Sequence, residues 1–363
     1  MESNEPKHDG DGPNETVEDK RLREQVGLLV RALRADLESV REVAIVQLTL
    51  LGPRAIPYLD RALSNCILEK QESSRSNSDP ELAIRGITRA LGIMREESAV
   101  EIIGKALPRP EAVSALAKLG NERSLDLIIP LVEAPLDYRD HRGSVLRNFA
   151  GGREPFQGNS DANREFIRGA FLAFGESGRE RLRKELEQGT PSHKAAIASI
   201  VGILGYQDFV SPLRKLTDSG VTTTEDYLMK AEVAKTLLLL NARETVPSLV
   251  ETLFKVEKEP DESELDREKR SELSEARSKA RTALEEAILK LGDVDAWIEV
   301  GTHINPEYPA MHSEFRDAVV RSGEAALPSL TKKLGMNDKS AQSLAAKMIA
   351  EIADQAAPRR RDY

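Results

Sequence analysis

The chain is 363 residues long, with a formal net charge of −9 and a pI near 5.4. An acidic balance argues against broad binding to nucleic acid or anionic membrane. A single cysteine, Cys66, excludes an internal disulfide and a cysteine-rich metal site, and no run of about 18 apolar residues exists to span a bilayer.

The first residues, MESNEPKHDGDGPNE, have no apolar core and so do not read as a signal peptide. Residues 1–20 are acidic, contain Gly and Pro, and are expected to be a disordered tail of a cytoplasmic protein. Helix is expected from about Arg21, where Val26, Leu29, Val30 and Leu33 make an apolar stripe that caps the first helix pair. Val40 to Asn65 reads as two short helices back to back. Val40, Val43, Ala44, Leu48 and Leu51 share one face of the leading helix, and Ile56, Leu59, Ala62 and Leu63 share one face of the trailing helix. Gly52 and Pro53 separate them, the first able to end a helix in the left-handed conformation, the second unable to continue one.

Imperfect copies recur. Leu51-Gly52, Leu91-Gly92, Leu119-Gly120, Leu204-Gly205 and Leu291-Gly292 mark ends of leading helices, with Phe174-Gly175 and Leu240-Asn241 as variants. Pro57, Pro130, Pro212, Pro247 and Pro328 sit early in trailing helices, separated by one or two periods of about 40 residues. Neither helix of such a pair buries its apolar faces alone, so the pairs must stack. Aromatic residues are only 4% of the chain. The small aliphatic side chains that replace them suit closely packed helix pairs.

These features resemble the HEAT-repeat family, in particular the phycobilisome-lyase HEAT-like repeat. The segment from Asp36 through Ala44, with Leu51-Gly52 and Ala55-Ile-Pro-Tyr-Leu59, carries the resemblance most fully. Lys230-Ala-Glu-Val-Ala234 with Val246-Pro-Ser-Leu249, and Ala325-Ala-Leu-Pro-Ser-Leu330, carry it in part. It covers residues 22–355 and implies an all-α, right-handed α-solenoid of about eight or nine helix pairs, with trailing helices lining a concave face. Outward positions on that face would include Tyr58, Arg61, Lys105, Glu133, Lys184, Lys215, Glu251, Lys332 and Lys333. Fold alone does not name an activity.

Further along, the polar stretch between Leu68 and Pro80 is expected to be a loop. Residues 134–160 break the rhythm and concentrate Tyr138, Arg139, His141, Arg142, Arg147, Phe149, Arg153 and Phe156. Insertions in repeat arrays often carry binding, and Arg beside aromatics suits an acidic or phosphorylated partner. Residues 257–282 interleave Glu, Asp, Lys and Arg three or four apart, as on a solvated helix. Units at 293–304 with 310–335, and a last helix at 338–354, close the array. Residues 356–363 form a short basic tail with Arg359, Arg360 and Arg361, too few charges for a nucleic-acid signal.

The chemistry sought is missing at the level of motif. None of His8, His141, His193, His303 and His312 is followed by Glu, so the His-Glu pairs of HEAT-like deoxyhypusine hydroxylases are absent and no metal or cofactor is expected. No P-loop or G-x-S-x-G elbow occurs. Trp297, beside Ile298 and Val300, reads as packing rather than as the DNA-reading tryptophan of HEAT-type glycosylases. The expectation is a non-catalytic scaffold that binds a protein or peptide, with Tyr138, Arg139, His141, Arg142, Arg147, Tyr58 and Arg61 as contacts. A phycobilin-lyase-like enzyme is the alternative, and a cavity with convergent polar groups would favour it. Nucleic-acid binding through the Arg-rich insertion and tail is the third reading.

Overall fold

The computed structural model describes residues 16–72, 79–133, 158–258, 266–303 and 312–356, and every regular element among them is helical. The chain forms two compact units that divide between Arg179 and Glu180.

In the first unit, α1 (Val17–Ala32) starts four residues before Arg21. Thr16 and Asp19 form a capping box there, each side chain accepting from the other's backbone N–H. Val26, Leu29, Val30 and Leu33 are buried as expected. The helices α2 (Glu38–Leu51), α3 (Ile56–Glu72), α4 (Asp79–Met94), α5 (Val100–Gly104), α6 (Pro110–Leu119) and α7 (Glu122–Ile128) come next. Leading helix packs on leading helix, α2 on α4 and α4 on α6, while α5 packs on α7. α3 runs past Leu68 to Glu72 and holds Cys66 in its interior, 1% exposed, with Arg34 Nη2 donating to Sγ at 3.3 Å. Burial pushes that thiol upward, so it is a packing residue.

Three sequence expectations shift in this unit. Ala44, Ile45 and Leu48 are buried on α2, but Val40 is 38% and Val43 56% exposed, and they line a shallow depression with Leu29. The first helix pair has only α1 beside that side among the described residues. Leu91-Gly92 does not end its helix: α4 continues to Met94, and Arg95 takes the left-handed turn at φ 56°. A Cβ on Gly92 would meet Ala115 Cβ at 2.7 Å, so glycine there serves the approach of α6. Pro130 lies in a 3₁₀ turn, Ile129–Val132, that ends α7. Lacking an N–H, it cannot extend the α-helical ladder.

The helix α8 (Gly158–Gln188) is interrupted at Gly175, whose φ of 58° and ψ of −127° lie outside the helical region. The second unit continues with α9 (Pro191–Leu204), α10 (Val210–Asp218), α11 (Thr224–Leu239), α12 (Val246–Glu257), α13 (Arg267–Leu291), α14 (Val294–Thr302), α15 (Ser313–Arg321), α16 (Leu327–Leu334) and α17 (Lys339–Ala356). Two ladders run through it: α9 on α11 on α13, and α10 on α12 on α14 on α16. Short 3₁₀ turns lead into α10, α12 and α16, and Pro212, Pro247 and Pro328 occupy the first turns of those helices. Leu291-Gly292 does end α13, but with Gly292 extended at φ −70° rather than left-handed. Trp297 packs against the cluster of Ile298, Val319, Leu330 and Met348.

Lys230 of α11 is fully buried. Its Nζ donates to the carbonyls of Leu216, Thr217 and Ser219 and to Ser219 Oγ, so it closes the C-terminal end of α10. Burial lowers its pKa to about 8, against attraction from Asp226.

Gly92→Ala is expected to lose about 1–3 kcal/mol by forcing α4 off α6. Gly27→Ala, in the open middle of α1 with nothing within 4 Å, should gain up to about 1 kcal/mol; urea melts of both variants check the contrast. Lys230→Met should cost about 1–3 kcal/mol at pH 7 by stranding buried carbonyls. Lys230 in the fold releases its proton near pH 8 and in the unfolded chain near 10.5. Between those values the unfolded state binds more protons, so wild-type stability rises with pH and its margin over Lys230→Met widens. Melts of the two proteins across that window measure the margin.

Candidate functional site

Two neighbouring features of the second unit bring chemistry-bearing side chains together. The first is a groove between α12 and α14. On α12, Val246, Val250 and Phe254 recur every four residues and form an apolar wall. Arg243 and Glu244 enter from the preceding 3₁₀ turn, and Leu291, Gly292, Asp293, Asp295, Ala296 and Glu299 close the other side. The space is about 790 Å³. Five carboxylates line it: Glu244, Glu251, Asp293, Asp295 and Glu299. Asp293 caps α14 through the Ala296 N–H at 3.0 Å, and Asp295 accepts from Ser329 Oγ. Lys255 pairs with Glu251 at 3.0 Å and Lys333 with Glu299 at 2.5 Å. With Arg243, three cations thus face five carboxylates.

The second feature lies at the far end of α12. Phe254 stacks on His303, just past the end of α14, with ring centroids 4.0 Å apart and an interplanar angle of 23°. His303 Nε2 stands 3.6 Å from Glu257 Oε2. Glu257 is the last residue of α12, and its side chain is only 3% exposed. Its other oxygen, Oε1, lies 2.8 Å from Nε2 of His312, whose side chain is 0% exposed. His312 Nδ1 in turn faces Glu285 Oε1, from the middle of α13, at 3.4 Å. Phe315 meets the His312 ring edge-on at 5.9 Å between centroids.

Local backbone explains how these groups arrive. Arg277 of α13 donates from Nε to the Val256 carbonyl at 2.9 Å and from Nη2 to the Glu257 carbonyl, holding down the end of α12. His312 sits in the left-handed conformation at φ 67°, immediately before α15. That conformation is uncommon for a side-chain-bearing residue. Burial works against charge on His312, but Glu257 and Glu285 outweigh it and hold the imidazole above its ordinary range. Burial pushes His303 the other way, below its usual value, despite attraction from Glu257. The contacts of His312 are ion-pair contacts: neither its nitrogens nor the oxygens of Glu257 make a hydrogen bond of ordinary geometry among the described residues. Glu257, Glu285 and His312 each offer a ligand atom within 4.8 Å of the other two.

Of the residues expected to bind a partner, Tyr138, Arg139, His141, Arg142 and Arg147 lie outside the described residues. Tyr58 is half-buried and Arg61 exposed, one turn apart on α3 of the first unit. In the sequence Glu257 heads a charged run that reads as a solvated helix, and no histidine is followed by Glu. The chain instead assembles Glu257, Glu285 and His312 across α12, α13 and the start of α15, about one helix pair apart in sequence.

No protein-family model matches the sequence, and no curated protein matches it. Among solved structures the chain is similar to the CpcE–CpcF complex of phycocyanin lyase from a Nostoc species. That match has a TM-score of 0.29 and 16% identity over 77% of this chain and 100% of the other. It is also similar to human deoxyhypusine hydroxylase in complex with glycerol, with a TM-score of 0.24 and 15% identity over 73% of this chain and 99% of the other. Both neighbours are HEAT-repeat-like helical proteins. At these scores neither likeness bears on function.

Arg277→Met is expected to destabilise the second unit by about 1–2 kcal/mol, because it uncovers the Val256 and Glu257 carbonyls. Guanidinium melts of the variant measure the loss.

Proposed function

We propose that this protein is a non-catalytic binding scaffold whose α12–α14 groove takes up a basic, apolar-bearing segment of a partner protein. The observation that carries this reading is the pairing of an apolar wall, Val246, Val250 and Phe254, with a rim on which carboxylates outnumber cations. An apolar side chain of the partner would cover the wall, and Lys or Arg beside it would meet Glu244 and Asp295. Burial supplies the affinity, and the rim supplies orientation and the choice of sign. A cavity of this kind, with an apolar wall and convergent polar groups, is also what the lyase-like reading calls for; against it, the propionate carboxylates of a tetrapyrrole would face the like charge of the rim, so we rank that reading second. Contact between an acidic partner and Arg139, Arg142 and Arg147 is a separate proposal that rests on sequence composition.

Fluorescence anisotropy tests the groove. A labelled peptide alternating Leu or Phe with Lys and Arg should bind the full chain, and its affinity should fall with added salt. Glu244→Lys combined with Glu251→Lys, both at exposed positions, should weaken it at least about tenfold, or about 1.4 kcal/mol. Equal binding of a peptide with Glu in place of Lys and Arg, or no change on charge reversal, overturns the proposal.

A further inference from the structure

We infer that Glu257, Glu285 and His312 form a binding site for one divalent transition-metal cation of the zinc or manganese kind. Such a site stands independently of the groove and of its occupant.

Three observations carry it. The first is convergence: the three residues come from separate elements, yet each presents a ligand atom within 4.8 Å of the other two. An imidazole gives one nitrogen to one cation: with Nε2 as the ligand, its 2.8 Å contact with Glu257 Oε1 is close to the spacing of neighbouring ligands around a cation bound at about 2.0–2.2 Å, whereas Glu285 Oε1 faces the ring's other nitrogen at 3.4 Å and has to turn toward the ion. The second is burial with incomplete satisfaction. The Glu257 and His312 side chains are 3% and 0% exposed, and they meet each other as an ion pair at 2.8 Å, off the angles of an ordinary hydrogen bond. Polar groups withdrawn from water in this way are costly unless something else meets them. The third is charge. Two carboxylates flank one imidazole; Arg281 Nε reaches Glu285 only at 4.0 Å, and the Arg277 guanidinium is engaged with the Val256 and Glu257 carbonyls. Even with His312 protonated the triad keeps one negative charge. A dication beside a neutral imidazole balances both carboxylates.

The donor set selects the class of metal. Imidazole nitrogen with carboxylate oxygen suits zinc, manganese or ferrous iron, whereas calcium and magnesium prefer all-oxygen sites. Water would complete the coordination; His303, 3.6 Å from the second oxygen of Glu257, lies outside the group whose ligand atoms all stand within 4.8 Å of one another. The left-handed backbone at His312 is consistent with a residue held in place for its side chain.

Equilibrium dialysis of the chelator-stripped full chain against Zn²⁺, read by elemental analysis, is the direct test. One equivalent should be retained, and Co²⁺ in its place should give visible d–d absorption of a mixed nitrogen and oxygen site. Calcium at the same concentration should not be retained. Glu257→Gln and His312→Asn should each weaken Zn²⁺ at least tenfold; asparagine tolerates the left-handed backbone but is too short to reach. Glu285→Gln, at a quarter-exposed position, provides a variant that keeps the fold if the buried ones do not, and circular dichroism reports this. His193→Ala, which removes an imidazole facing Glu185 at 3.2 Å, should leave binding unchanged. Less than half an equivalent retained, or undiminished binding in Glu285→Gln together with either of the other two, means that the cluster is a cation-free ion triad and overturns the inference.

Discussion

Most helices among the described residues carry apolar residues on two sides and cannot hide them against one neighbour. That constraint is met by sharing. In the second unit α11 lies between α9 and α13, while α12 lies between α10 and α14. Small residues serve such contacts in both units: Gly92 of α4 admits Ala115 of α6, and a Cβ on Gly202 of α9 would meet Thr236 of α11 at 3.2 Å. Stability is therefore local and cumulative, and each interface depends on the one before it. Buried hydroxyls such as Thr88, Thr236 and Thr252 sit within the ladders and donate to nearby carbonyls, whereas several buried charged groups serve helix ends.

Lys230, Arg277 and Glu257 all illustrate this. A trailing helix of nine to twelve residues, such as α10 or α12, ends inside the stack with carbonyls that have no intrahelical partner. Water does not reach them easily, so the next leading helix sends in a cation: Lys230 to the end of α10 and Arg277 to the end of α12. The two devices occupy equivalent places in successive pairs. At the end of α12, however, the helix also buries a carboxylate. Arg277 serves the backbone there and leaves the Glu257 side chain to His303 and His312.

What was legible in the sequence depends on what each signal encodes. Periodicity encodes which residues share a face, and it locates the helices and the buried set Val26, Leu29, Val30 and Leu33. It does not encode whether a neighbour is present, which is why Val40 and Val43 look like core in the sequence and stand exposed in the fold. Glycine after leucine encodes freedom to turn, but Gly92 uses the same missing Cβ for close approach instead. Glu257 escapes a sequence reading because a charge at the edge of a charged run looks solvated. Arg277 of α13, His303 and His312 stand around it, and none of them is adjacent to it in sequence. Histidine-ligand motifs are local by construction, and a cluster whose members sit one helix pair apart escapes them.

Phe254 ties the two features of the second unit together. Its ring lines the groove and also stacks on His303, which faces the buried Glu257. Groove and cluster are both carboxylate-rich, so a cation held in either one lowers the attraction for positive charge in the other. The two would then oppose each other electrostatically even without any movement of the helices.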